Sequence, residues 1–269
     1  MSDWLSSYEA KGYHFPLRVF SEAQALQYRN ALEELESSHR GSPDLKLAIG
    51  QSNSLIPFVD EITRSKAVLD QVEQVLGPNI LVWNSSFFIK EPGTKDFISW
   101  HQDLTYWGLT DSHEVTAWIA LSQASIQSGC MKFIPGSHTG SIVEHKDTFD
   151  ENNLLSRGQE LAVEVDEADA VNDILEPGEM SLHHGQVFHG SNFNQSDDRR
   201  IGLAIRYITP DMQQTIEEKT DAVLVAGVDG YHHFNLKDAP AGLLHTDDIA
   251  AVKRNNAIKE RFLMAGAKQ

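Results

Sequence analysis

A single cysteine, Cys130, stands in 269 residues. That excludes a disulfide framework and fits a reducing, cytoplasmic compartment. In the run Cys130-Met131-Lys132-Phe133-Ile134 the thiol reads as a small buried hydrophobe. No apolar stretch approaches the ~20 residues a membrane helix needs. The opening residues, Met1 to Glu9, lack the basic and apolar regions of a secretory signal, so none is expected. Basic residues are scarce as well: 22 Lys and Arg face 39 Asp and Glu, a net charge of −17 with a pI near 5.0. Such a field repels nucleic acid and anionic membranes, and neither is expected as a partner. An anionic substrate would need a local basic pocket. No Gly/Ser-rich or Pro-rich linker, low-complexity tract or repeat divides the chain. With 41% apolar residues a substantial core is within reach, so one domain over 1–269 is expected.

The chain changes period along its length. The first part, about 1–78, reads as helical. Ser21 and Gln24 have capping-box spacing ahead of the stripe Leu26, Leu32 and Leu35. A second helix is expected over 65–76, where Val68, Leu69, Val72, Val75 and Leu76 share a face before Gly77-Pro78. From about 80 to 210 short β segments follow: 80–90, 97–100, 115–121, 130–134, 161–165, 179–184 and 201–208. Turn residues separate them, the pattern of an antiparallel sandwich or barrel. The rest, 211–269, reads as a loop region closed by a helix over 247–264.

Chemistry concentrates at three places. His101-Gln102-Asp103 offers an imidazole and a carboxylate at alternate positions, and alternate residues of an extended segment share a face. His189 can supply a second imidazole from a distant strand. Two histidines and one carboxylate fill one triangular face of an octahedral ferrous ion, leaving positions for a chelating keto acid and O2. Eleven residues after His189, Arg200 supplies a planar, permanently charged fork for a carboxylate. The combination points to an oxygenase using Fe(II) and 2-oxoglutarate, whereas His-X-Asp alone is a weak signal.

At these residues the chain resembles the phytanoyl-CoA dioxygenase family. The matching motifs are Trp100-His101-Gln102-Asp103, the run from Gly129 to His138 with its Pro135-Gly136-Ser137-His138 turn, and His189-Gly190-Ser191 followed by Asn194, Ser196 and Arg200. The Pro-Gly-Ser-His spacing is similar to that of ectoine hydroxylase, a member acting on a small polar metabolite, which points to the ectoine-hydroxylase-like small-molecule branch. The resemblance implies a mainly β fold with flanking α-helices, a double-stranded β-helix (jelly roll). It implies His101, Asp103 and His189 as metal ligands, and Arg200 with Thr116 as the grip on the distal carboxylate of 2-oxoglutarate. Asp103 stands where halogenating members carry a small residue, which favours hydroxylation.

Substrate contacts are less defined. Arg206 shares the inward face of Arg200 and needs a carboxylate or an anion, either internal or brought by a ligand. Lys90, and more weakly Asn84, share one strand face near the expected site. Of the adjacent pair His183 and His184, the second is expected near the site, behind the metal ligands or facing substrate, and the first in packing. Tyr106, Trp107 and Trp118 are candidates either for pocket walls or for core. Together these favour a small polar substrate, with an aminoalkylphosphonate such as 2-aminoethylphosphonate as the specific conjecture. An acyl-CoA or natural-product hydroxylase of the same family, or a cupin-like metal-binding protein, is the alternative.

Overall fold

The computed structural model describes residues 4–155 and 157–265; the side chains of Tyr106 and of 262–265 lie outside the described residues. In chain order the elements are α1 (Leu5–Lys11), β1 (Tyr13–Arg18), α2 (Glu22–Ser38), α3 (Pro43–Gly50), α4 (Ser52–Leu55), α5 (Pro57–Thr63) and α6 (Lys66–Leu76). Then come β2 (Ile80–Lys90), β3 (Ile98–His101), β4 (Glu114–Ala120), β5 (Met131–Phe133), β6 (His145–Asp147), β7 (Gln159–Leu161), β8 (Val171–Asp173) and β9 (Glu179–His183). The last are β10 (His189–Ser191), β11 (Arg200–Ile208), β12 (Asp221–Ala226), β13 (Asn235–Leu236) and α7 (Thr246–Ala265). No described helix is long and apolar enough to cross a membrane.

The chain forms two compact units, and β2, β4 and β11 each contribute one end to either. The first unit comprises 1–26, 88–105 and 118–202. It holds a four-stranded sheet in the order β3-β10-β5-β8 and, beside one another, β1-β9-β4-β11. These two sets of four form the walls of a double-stranded β-helix, the jelly roll expected from the sequence. Contacts between the walls fill its interior. Tyr13 of β1 stacks on Phe133 of β5 with centroids 4.6 Å apart, and Ser181 of β9 donates to Asp173 Oδ2 of β8 at 2.8 Å.

The second unit comprises 27–87, 106–117 and 203–269. Its strands run β11-β2-β12-β13, and Val68 and Val72 of α6 are fully buried, as the apolar stripe of that helix requires. Tyr207 of β11 is buried and donates to Thr63 O at 3.0 Å.

Three expectations need correction. β1 lies in the N-terminal part read as helical, and β12 in the C-terminal part read as loop and helix. The segment expected at 161–165 is instead the short β7, ending at Leu161. β1 was hidden because its partner is distant in sequence, Tyr13 pairing with His183 and Arg18 with Glu179. Burial along β1 runs without regular alternation, so period-two patterning gives no signal.

Candidate metal and co-substrate site

β10 lies between β3 and β5, and its register sets His189 opposite both His101 and Phe133. Directly opposed residues bring their side chains together, and the two imidazole centroids are 4.0 Å apart. Asp103 reaches the same point by another route than simple alternation. β3 ends at His101, and Asp103 opens a short 3₁₀ turn over 103–106, pinned where Leu104 N–H donates to Gly185 O at 3.1 Å. Asp103 Oδ1 lies 3.3 Å from His101 Nε2. One ligand atom from each of His101, Asp103 and His189 lies within 4.8 Å of the others, a group able to hold a metal ion.

The surroundings prepare that group. His101 Nδ1 donates to Ser99 O at 2.9 Å and His189 Nδ1 to Val187 O at 3.0 Å. With those protons on Nδ1, each Nε2 lone pair faces the triad, the tautomer a metal requires. Burial, then the neighbouring His101, hold His189 well below the ordinary histidine range, which keeps it in the neutral form that metal binding requires. Gln102 points away, as alternation demands. Its Nε2 donates to Gln186 O, and its Oε1 accepts from Val143 N–H, both at 2.9 Å. Its own N–H donates to His145 Nε2 at 3.1 Å. Gln102 therefore ties both flanking loops to the ligand segment.

Arg200 opens β11 and is 1% exposed. Its neighbour fixes the register: Arg199 pairs with Glu91 at 2.7 Å on the outer side, which leaves Arg200 inward. The turn before it is held by Asn194, whose Nδ2 donates to Lys90 O at 3.0 Å and to Asp198 O at 2.8 Å. The guanidinium carbon lies 5.4 Å from the Trp118 ring centroid. A Cβ on Gly202 would collide with that indole, so this position needs glycine. Arg200 Nε and Nη2 have no hydrogen-bond partner, and burial lowers the group to about 10. Buried arginine donors without acceptors are costly. Two N–H groups aimed at nothing fit the carboxylate end of a bidentate ligand. In the second unit, Thr116 of β4 is likewise buried with an unpartnered Oγ1.

The residues expected to contact substrate are divided between the two units. Lys90 is fully buried, and its Nζ donates to Ser191 Oγ at 2.7 Å, to Ser191 O at 3.3 Å and to Asn192 O. Burial, then Arg200, lower it to about 6. Its protons are committed to the end of β10, so it braces the strand that carries His189. The histidine pair is reversed. His183 packs against the triad, its ring 4.9 Å from that of His189, whereas His184 faces His138 at 5.5 Å and accepts from Gln186 N–H at 3.0 Å. Strand alternation makes the two face opposite ways, but the sequence alone does not say which faces inward. Trp118 lies under Arg200. Trp107 belongs to the second unit, where its ring is 5.1 Å from that of Trp83 and Arg206 lies over it at 5.9 Å. Asn84, also there, has a buried Oδ1 without a partner. The Tyr106 side chain lies outside the described residues. One buried acid was missed: Asp173, raised to about 7 by desolvation and in electrostatic reach of Arg200. The short run Val171-Asn172-Asp173 gave no periodic signal.

A jelly roll with a His-Asp-His cluster and an unspent buried arginine has the parts that a non-haem oxygenase dependent on 2-oxoglutarate requires. The model of the phytanoyl-CoA dioxygenase (PhyH) family matches residues 8–202, and the chain belongs to that family. Among curated proteins, it is 31% identical over 156 residues to one from Stutzerimonas stutzeri named "Probable alpha-ketoglutarate-dependent hypophosphite dioxygenase", covering 57% of this chain and 54% of that protein. The chain therefore spans about half the length of that relative. The human peroxisomal phytanoyl-CoA dioxygenase is 22% identical over 262 residues, covering 86% of this chain and 78% of the human protein. Among solved structures, a non-haem monooxygenase, ThoJ, superposes in its apo form with a TM-score of 0.87 at 29% identity over 98% of both chains.

Proposed function

We propose that this protein is an Fe(II)- and 2-oxoglutarate-dependent dioxygenase that hydroxylates a small polar metabolite carrying an oxyanion group. An aminoalkylphosphonate such as 2-aminoethylphosphonate is the specific candidate. The observation that carries the reading is the conjunction of the His101, Asp103 and His189 cluster with the orphaned donors of Arg200 in one unit. A metal site alone would have no use for a buried arginine with two unspent N–H groups.

In this reading, Nε2 of His101, Nε2 of His189 and the Asp103 carboxylate would hold iron(II). Iron(II) and 2-oxoglutarate, when bound, would supply the activation of O2. Arg200 would grip the distal carboxylate through its orphaned Nε and Nη2. Ser99 O and Val187 O keep both imidazoles in one tautomer. Phe133 and Trp118, buried to 0% and 3% exposure, keep the interior apolar and strengthen each polar contact within it.

The phosphorus-centred substrate in the name of the bacterial relative supports an oxyanion substrate. The net charge of −17 gives no sign of a broad basic groove for the phosphates of an acyl-CoA. The test is succinate release under air with iron(II) and 2-oxoglutarate across phosphonates, amino acids, betaines and acyl-CoAs. Stimulation by 2-aminoethylphosphonate, with a hydroxylated product by mass spectrometry, supports the assignment. Stimulation only by an acyl-CoA overturns the substrate class and leaves the oxygenase.

A further inference from the structure

The register of the four-stranded sheet sets a second row of side chains beside the metal cluster. His189 opposes Phe133, Ser191 opposes Met131, and Met131 in turn opposes Asp173 of β8. Alternate and directly opposed residues share a face, so Ser191, Met131 and Asp173 project to the same side as His189. Asp173 is fully buried there. Ser181 of the facing wall donates to its Oδ2 at 2.8 Å, while its Oδ1 has no hydrogen-bond partner. Arg200, in the same wall as Ser181, is in electrostatic reach of Asp173, and its Nε and Nη2 are unspent too. A carboxylate oxygen and two guanidinium donors thus stand near one another inside the first unit without bonding. Each is costly as it stands, and one small polar group between them satisfies both.

A co-substrate carboxylate brought to Arg200 meets a second carboxylate in Asp173. Two such groups at one site do not both stay ionised; one proton is shared between them. We propose that Asp173 is the acid half of the 2-oxoglutarate grip: Arg200 holds the charge of the distal carboxylate, and protonated Asp173 donates a hydrogen bond to it through Oδ1. The proton comes from solvent, so above neutral pH one proton enters with each 2-oxoglutarate. The proposal deepens the functional reading above and rests on it for the identity of the ligand. Few groups around Asp173 change charge near neutral pH. Desolvation raises Asp173 itself to about 7, against the pulls of Ser181 and Arg200. Burial raises Tyr13 of β1 above its ordinary value and pushes the Cys130 thiol up to about 11, so both stay neutral. Lys132 projects to the other face of β5 and pairs with Glu167 at 2.6 Å. His183, two residues after Ser181, lies against His189. Lys90 is the competitor: burial, then Arg200, lower it to about 6, and its Nζ donates to Ser191 Oγ in the same row. An anion arriving there would give it a proton as well.

The test is calorimetry of 2-oxoglutarate into full-length, iron(II)-loaded protein under nitrogen, at about pH 6 and about pH 8, each in two buffers of different ionisation enthalpy. Comparing the buffers gives the protons taken up per ligand. The ligand's own carboxylates titrate below this window and do not enter the count. Wild type should take up about one proton at pH 8 and almost none at pH 6, with affinity about tenfold lower at pH 8. Asp173→Asn keeps an N–H donor without a titrating proton. Its uptake vanishes, and its affinity at both pH values stays near that of the wild type at pH 6. Asp173→Ala also shows no uptake and, lacking the donor, binds about fivefold more weakly. Thermal melts keep an unfolded variant from passing as a lost contact. Uptake that persists in Asp173→Asn and disappears in Lys90→Met assigns the proton to the lysine and overturns the proposal. Wild type that binds 2-oxoglutarate without uptake at pH 8 overturns it too, while leaving the oxygenase reading in place. Absence of any 2-oxoglutarate binding by the wild type at either pH removes that reading, and this proposal with it.

Discussion

Replacing Arg200 by methionine should stabilise the free protein while abolishing its response to 2-oxoglutarate. The side chain is 1% exposed, two of its N–H donors have no acceptor, and burial lowers it from 12.5 to about 10. At about 1.4 kcal/mol per unit, that displacement places a cost of roughly 3 kcal/mol on holding the charge at this depth. Methionine has similar length, carries no charge and packs on Trp118, so most of that cost is relieved; the lost cation–π contact takes back about 1 kcal/mol. A net gain of about 1–2 kcal/mol follows. Binding moves the other way: a buried carboxylate that loses its charged partner loses about 2–5 kcal/mol, and co-substrate affinity falls at least about thirtyfold. The assay is thermal unfolding with iron(II) under nitrogen, with and without 2-oxoglutarate. Wild type should show a large ligand-induced rise, and Arg200→Met a higher starting temperature with no rise. A variant that melts lower yet keeps the ligand-induced rise would make Arg200 a structural residue and sink this assignment.

Lys90→Met should speed amide exchange in β10 and weaken iron binding about tenfold, the scale of losing a brace behind a ligand; unchanged exchange and metal affinity would return Lys90 to the substrate pocket. Asp173→Asn should stabilise the co-substrate-free protein at pH 8 by up to about 4 kcal/mol, since Asp173 is raised from 3.8 to about 7. An acid raised on folding costs nothing below its unfolded value, and stability is lost as pH climbs towards 7. The advantage of the Asp173→Asn variant in urea melts should therefore shrink by about pH 5, and a gap that widens in acid would contradict it. Gly202→Ala drives a methyl into the Trp118 indole. It should cost about 1–3 kcal/mol by overpacking and blunt the 2-oxoglutarate response, whereas a neutral result would mean that Trp118 moves freely beneath Arg200.

The cluster was legible because its chemistry is local. His101 and Asp103 are two residues apart, and Arg200 follows His189 by the length of one turn, so short motifs carry most of the geometry. The reason given for His-X-Asp was only half right, since Asp103 projects from a 3₁₀ turn after the strand has ended. Jelly-roll strands with regular boundaries, such as β2, β4 and β11, were readable from turn residues and apolar runs. β1 and β8 were not, because each is defined by a partner far away: Tyr13 by His183, and Asp173 by Met131. Which of His183 and His184 faces inward depends on the phase of β9, and a one-residue choice of phase reverses it.

Whether His101, Asp103 and His189 hold iron(II) while 2-oxoglutarate chelates it against Arg200 can be read from an anaerobic visible spectrum. Iron(II) followed by 2-oxoglutarate should give the weak metal-to-ligand charge-transfer band of the keto-acid chelate in the wild type. Arg200→Met should require far more 2-oxoglutarate to reach the same intensity, and His189→Ala should give no band while keeping the native far-ultraviolet circular dichroism. A wild type without the band, or a full band in His189→Ala, would contradict the assignment.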